Sequence, residues 1–158
     1  MTEMNTQTEI IAFFIQDIPE SIIMTLVVFS FLNVRFEWKK VLTIALLQAV
    51  INLVRLLPIA AGMHTVILII SLAVLVSIFT GSRLSRSFMV VLICSVIVLF
   101  LNLIYTKPLL QLTGYTYETA FASPFLRAMF SLPYEVLLLV IAIWKNYHNR
   151  RISGRFPA

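Results

Sequence analysis

The sequence predicts an all-α polytopic membrane protein, a five-helix transmembrane bundle with its N-terminus outside and its C-terminus in the cytoplasm. Three observations carry this. Of 158 residues, 60% are hydrophobic and only 12% are charged, against about 25% charged in a soluble domain. The mean hydropathy, +0.97, leaves too little polar surface to face water. Apolar stretches near the ~20 residues that cross a ~30 Å hydrocarbon core recur five times. Disorder is excluded by the same figures. With 4 Gly and 6 Pro, the chain is neither collagenous nor of low complexity.

The whole chain, 1–158, reads as one membrane domain, with spans at 10–32, 41–61, 64–79, 87–105 and 125–144 and a basic tail at 145–158. The first span carries Asp17, Pro19 and Glu20. The MTEMNTQTE before it has no basic residue, so it reads as a permanent helix and not as a cleaved signal. The second span holds Gln48, Asn52, Arg55 and Pro58. A tight turn at Gly62 and Met63 leads to the third, which His64 opens and which contains no charge. Gly81 is a natural stop before the fourth span. The fourth is the most uniformly apolar. Cys94, the single cysteine, lies in it and reads as a small packing residue. One long polar and aromatic connection, 106–124, precedes the fifth span, which holds Arg127, Pro133 and Glu135.

Five spans place the termini on opposite sides. The first loop (Arg35, Lys39, Lys40), the third loop (Arg83, Arg86) and the tail (Lys145, Arg150, Arg151, Arg155) then share one side. They hold nine of the 12 Lys and Arg, against Lys107 alone on the other side. The positive-inside rule makes the basic side cytoplasmic.

Charges inside spans cost roughly 2.5–3.5 kcal/mol each on insertion scales, so they face a cavity or one another. Asp17 lies about seven residues, roughly 10 Å, into the first span. Arg55 sits at a similar depth below the outer end of the second, so the two are expected to pair. Glu20 is one turn deeper on the face of Asp17. Gln48, Asn52 and Arg55 form one stripe on the second span, and Arg127, Ser131 and Glu135 another on the fifth. With His64, these nine residues are the candidate ligand-binding set. Two readings stay open: interhelical ion pairs that hold the bundle, or an outward-facing polar pocket. The pocket is expected between the first, second and fifth spans, beneath 106–124 and its Tyr115, Tyr117 and Phe121. Ser95 and Val98 on the fourth span are expected outside it.

No catalytic motif is found. There are two histidines without H-E-x-x-H, and no G-x-S-x-G, P-loop or dinucleotide fingerprint. Neither an enzyme nor a metal or other cofactor is expected.

The stretch FEWKKVLTIALLQAVINLVRLLPIAAGMHTVILIISLAVL, residues 36–75, resembles the N-terminal multi-pass membrane region of GHKL-type sensor histidine kinases of Gram-positive bacteria. The likeness lies in Trp38-Lys39-Lys40, in Arg55-Leu56-Leu57-Pro58 closing a helix, and in Gly62 and His64 opening the next. It covers about a quarter of the chain. A phosphoacceptor helix and ATP-binding boxes are absent from the sequence, so kinase activity is not expected. The resemblance implies a sensor-like or regulatory module in a bacterial cell (inner) membrane, acting in signal transduction with a separate signalling partner. The alternatives are a substrate-binding or accessory subunit of a transporter, or a structural subunit of a larger complex. Expected partners are the lipid bilayer, a cytoplasmic or membrane signalling protein, a small polar or anionic ligand, and a second copy of the chain. Nucleic acid is not expected.

Overall fold

The computed structural model describes residue 11 and residues 13–56, 62–116 and 124–153. Every regular element among them is a helix. A five-residue π turn, Phe13–Asp17, runs into α1, Ile18–Leu32. Pro19 falls in the first turn of α1, where a missing N–H leaves no helical bond broken. Next come α2, Trp38–Asn52, and a 3-10 turn, Leu53–Leu56. The last three helices are α3, Met63–Thr80; α4, Leu84–Thr113; and α5, Pro124–Ser153.

Three helix ends are set by left-handed residues, the third being Gly114 after α4, at φ 70° with its N–H donating to Leu110 O at 3.0 Å. Asn33, at φ 60°, ends α1, and the N–H of Val34 reaches back to the Phe29 carbonyl at 3.0 Å, the wrapped ending that satisfies last-turn carbonyls. Gly81, at φ 69°, ends α3 and donates to Ser77 O at 2.9 Å. A hydroxyl cluster then pins the α3–α4 hairpin. Ser77 Oγ donates to Ser82 O at 2.7 Å, and the Ser82 and Ser87 hydroxyls are 2.6 Å apart.

α1 is the central helix. It packs on α2, α4 and α5, while α3 packs on α2 and α4. The core is built from Val27, Val28 and Phe29 of α1 with Val41, Ile44, Val76, Val91 and the buried Cys94. α1 and α5 run parallel. Glu20 and Glu135 line one cavity near their first halves. Towards their far ends Ser30 Oγ donates to Ala142 O at 3.0 Å, and Lys145 Nζ lies 3.7 Å above the Phe31 ring.

Burial is inverted relative to a soluble protein. Thr25, Ser30, Gln48, Asn52, Ser87 and Glu135 are buried, while Leu46, Ile78, Leu99, Phe100, Val140 and Trp144 are exposed. Among the described residues, four helical stretches are long and apolar enough to cross a membrane: Phe14–Leu32, Met63–Thr80, Leu84–Thr113 and Ala128–His148. This is the make-up of a multi-pass membrane protein.

The helices differ in extent from the expected spans. Helix α4 does not stop at residue 105. α4 continues through Pro108 to Thr113, so much of the expected connection is helix. A proline removes one backbone bond, a loss a long apolar helix absorbs. Within the expected basic tail, α5 continues as helix to Ser153. α2 has 15 residues, a rise of about 22 Å, and residues 57–61, Pro58 included, lie outside those described.

Candidate functional site

A half-open cavity of about 560 Å³ lies between the helices of the bundle, and all five line it. That is within the ~300–1,000 Å³ usual for small-molecule pockets. Its walls are largely aliphatic, with Leu68, Ile69 and Leu72 from α3 and Val91, Val98, Leu99, Leu103 and Leu110 from α4. Polar groups interrupt them: Glu20 and Ser21 on α1, Gln48 and Asn52 on α2, Thr65 on α3, Ser95, Asn102, Thr106 and Lys107 on α4, and Tyr134 and Glu135 on α5. Along α4 the lining runs from Val91 to Leu110, roughly 28 Å at 1.5 Å per residue. The cavity is therefore a long cleft, with the exposed Lys107 near one end.

Hydrogen bonds fix several of these groups. Gln48 spans α2 and α3. Its Nε2 donates to Leu68 O at 3.2 Å, and its Oε1 accepts from Ser71 Oγ at 3.1 Å. Asn52 Nδ2 donates to Ser21 Oγ at 3.4 Å, a long contact that joins α2 to α1. Thr25 Oγ1 bonds back to Ser21 O at 2.7 Å. Thr106 Oγ1 donates to Asn102 Oδ1 at 2.6 Å within α4. Glu135 is only 4% exposed, and its Oε1 has no hydrogen-bond partner. An acceptor left so in a buried site is costly and is open to a donor that enters the cavity.

Of the nine expected site residues, Glu20, Gln48, Asn52 and Glu135 line the cavity. Asp17 and Ser131 are buried beside it, and Ser131 Oγ donates to Ala128 O at 2.8 Å. His64 is held elsewhere, with Nδ1 3.0 Å from Val54 O. The side chains of Arg55 and Arg127 lie outside the described residues, and so does the Asp17–Arg55 pair. So do Tyr117 and Phe121 of the expected cover, while Tyr115 is exposed just beyond α4.

The expected placement needs one correction. α4 is a wall of the cavity, and Ser95 and Val98 are part of it. The sequence signal for this is Ser95, Asn102 and Thr106, spaced by seven and four, one helical stripe in an otherwise apolar run. Ser21, Thr65 and Tyr134 had no such signal, since single hydroxyls are common in membrane helices.

No family model matches the chain, and neither a curated protein nor a solved structure matches it.

Proposed function

We propose that the chain is a five-helix sensor-like or regulatory module of the cell membrane. In this reading a small polar ligand occupies the cavity, and a separate signalling protein reads the occupancy. The module itself performs no chemistry. The observation that carries the reading is the lining by all five helices, since whatever fills such a cavity bears on the packing of every helix at once.

Five crossings are supported by the parallel α1 and α5, which need an odd number of alternating helices. α2 with its 3-10 turn adds up to about 30 Å, at ~1.5 and ~2.0 Å per residue, close to the hydrocarbon thickness. The contact of Lys145 with Phe31 sets the basic end of α5 beside the end of α1 that leads to Arg35, Lys39 and Lys40. That is the arrangement the positive-inside rule assigns to a cytoplasmic face. The likeness of residues 36–75 to sensor-kinase membrane regions favours a signalling partner. The largely aliphatic, solute-sized cavity favours a second reading, a solute-binding subunit of a transporter.

The test is purification of the wild type and of a cavity-filling Val98→Trp variant from native membranes in mild detergent. A signalling protein whose association changes on filling is the expected result. An ATP-hydrolysing pair of partners would favour the transporter reading. A fixed assembly indifferent to the filling would overturn both. Cysteine at Asn52 or Asn102, in a Cys94→Ser background, should react with a small polar thiol reagent in folded protein.

A further inference from the structure

We infer that the cavity takes an amphipathic organic cation, a protonated amine on an apolar body, with the ammonium group on Glu135 at the level of Glu20. This rests on the reading of the cavity as a ligand site and names the ligand class. Three observations point the same way.

The first is that two acidic side chains from different helices, Glu20 of α1 and Glu135 of α5, line the same cavity.

The second is the state of Glu135. It is almost fully buried, and its Oε1 lacks a hydrogen-bond partner. A carboxylate in a low-dielectric interior is stabilised by a group that brings both a counter-charge and a donor. A protonated amine brings both. A neutral alcohol brings only the donor, and an anion brings neither. Tyr134, on the preceding residue, also lines the cavity, and an aromatic face attracts a cation.

The third is the rest of the wall. Most of the lining from α3 and α4 is aliphatic, suited to the apolar body of the ligand and unsuited to a bare inorganic ion. Lys107, near one end of the cleft, repels a cation there and leaves the acidic level as the favourable depth.

The experiment compares three probes of matched shape, phenylbutylammonium, phenylbutanol and phenylbutyrate. Binding is measured by equilibrium dialysis against the protein in lipid nanodiscs, with empty nanodiscs as the blank. The ammonium probe should bind saturably and about tenfold tighter than the alcohol, with the butyrate weakest. Glu135→Gln should weaken the ammonium probe about 10- to 100-fold, the range of a lost charged hydrogen bond, and leave the alcohol nearly unchanged. Lys107→Gln, an exposed change that leaves the core intact, should tighten the ammonium probe about twofold. Val98→Trp should abolish binding of all three.

Equal binding of alcohol and ammonium, preference for butyrate, or indifference of the ammonium probe to both charge variants would overturn the ligand class. If Val98→Trp still abolishes binding in those cases, the cavity reading survives alone. Absence of saturable ammonium binding also overturns the inference. Labelling of cysteine at Asn102 then tells whether the cavity reading falls with it.

Discussion

Gln48 occupies a buried position where an aliphatic residue would pack as well, and it ties two helices through both ends of one amide. Its Nε2 and Oε1 are engaged by the Leu68 carbonyl and the Ser71 hydroxyl. Interhelical hydrogen bonds of this kind average about 0.6 kcal/mol in membrane proteins and reach about 1.7. A double-mutant cycle of Gln48→Leu and Ser71→Ala, read by thermal unfolding in detergent, should return a coupling energy of about 0.6–1.7 kcal/mol. Strict additivity would show that the two side chains do not interact. Gln48, Asn52, Glu20 and Glu135 were legible in the sequence because a charge or amide inside an apolar run is expensive and stands out. Ser95 and Asn102 were less so. A single hydroxyl or amide barely lowers the hydropathy of a window as rich as α4, and only its periodicity betrays it. Helix rise sets Asp17 and Arg55 at one level but does not fix which way either side chain faces.

At the scale of the element, the α3–α4 hairpin shows which local signals are reliable. Gly81 was read as a stop because glycine alone adopts positive φ without a steric penalty, and it does end α3. A side chain added there meets nothing within 4 Å, so the cost of Gly81→Ala is purely conformational. It should lower stability by about 1–2 kcal/mol, measured by denaturant unfolding in mixed micelles, and Gly81→Asn should cost less. A neutral Gly81→Ala would mean that the left-handed turn is not populated. The end of α4 was not legible. The residues after 105, TKPLLQLT, combine a proline with polar residues, which in water reads as a loop. In a bundle the helix persists, because Leu109 and Leu110 stay partly buried and an interrupted backbone in an apolar setting would leave more unpaired groups than one proline does.

For the whole molecule, the composition set the class at once, and the placement of charge set the expected orientation. Fusions of a reporter active only outside the cell test that orientation. A fusion after residue 153 should be silent, and so should an insertion between Asn33 and Glu37, whereas an insertion at Gly62 should be active. An active insertion at both 33–37 and 62 would show that α2 does not cross. The distribution of basic residues carries this expectation, since the Arg35–Lys40 loop and the Arg83–Arg86 turn are each adjacent to a helix end of the same polarity. The packing partners were beyond the reach of sequence. Near-uniform apolarity around α3 and α4 hides which face looks inward, and no spacing rule announces that the first helix sits in the centre.

That central position has a consequence for synthesis. α1 is made before the other four helices, yet the helix against which Ser30 and Phe31 rest is the one made after them all. Until α5 arrives, the flank of α1 that it covers has only lipid or a chaperone as neighbour, and Glu20 waits without the wall that Glu135 completes. The bundle therefore closes only once α5 is made, instead of growing helix by helix. A nascent chain halted before residue 124 should persist as an open intermediate, and the quality-control proteases of the membrane should clear it faster than a chain that includes α5.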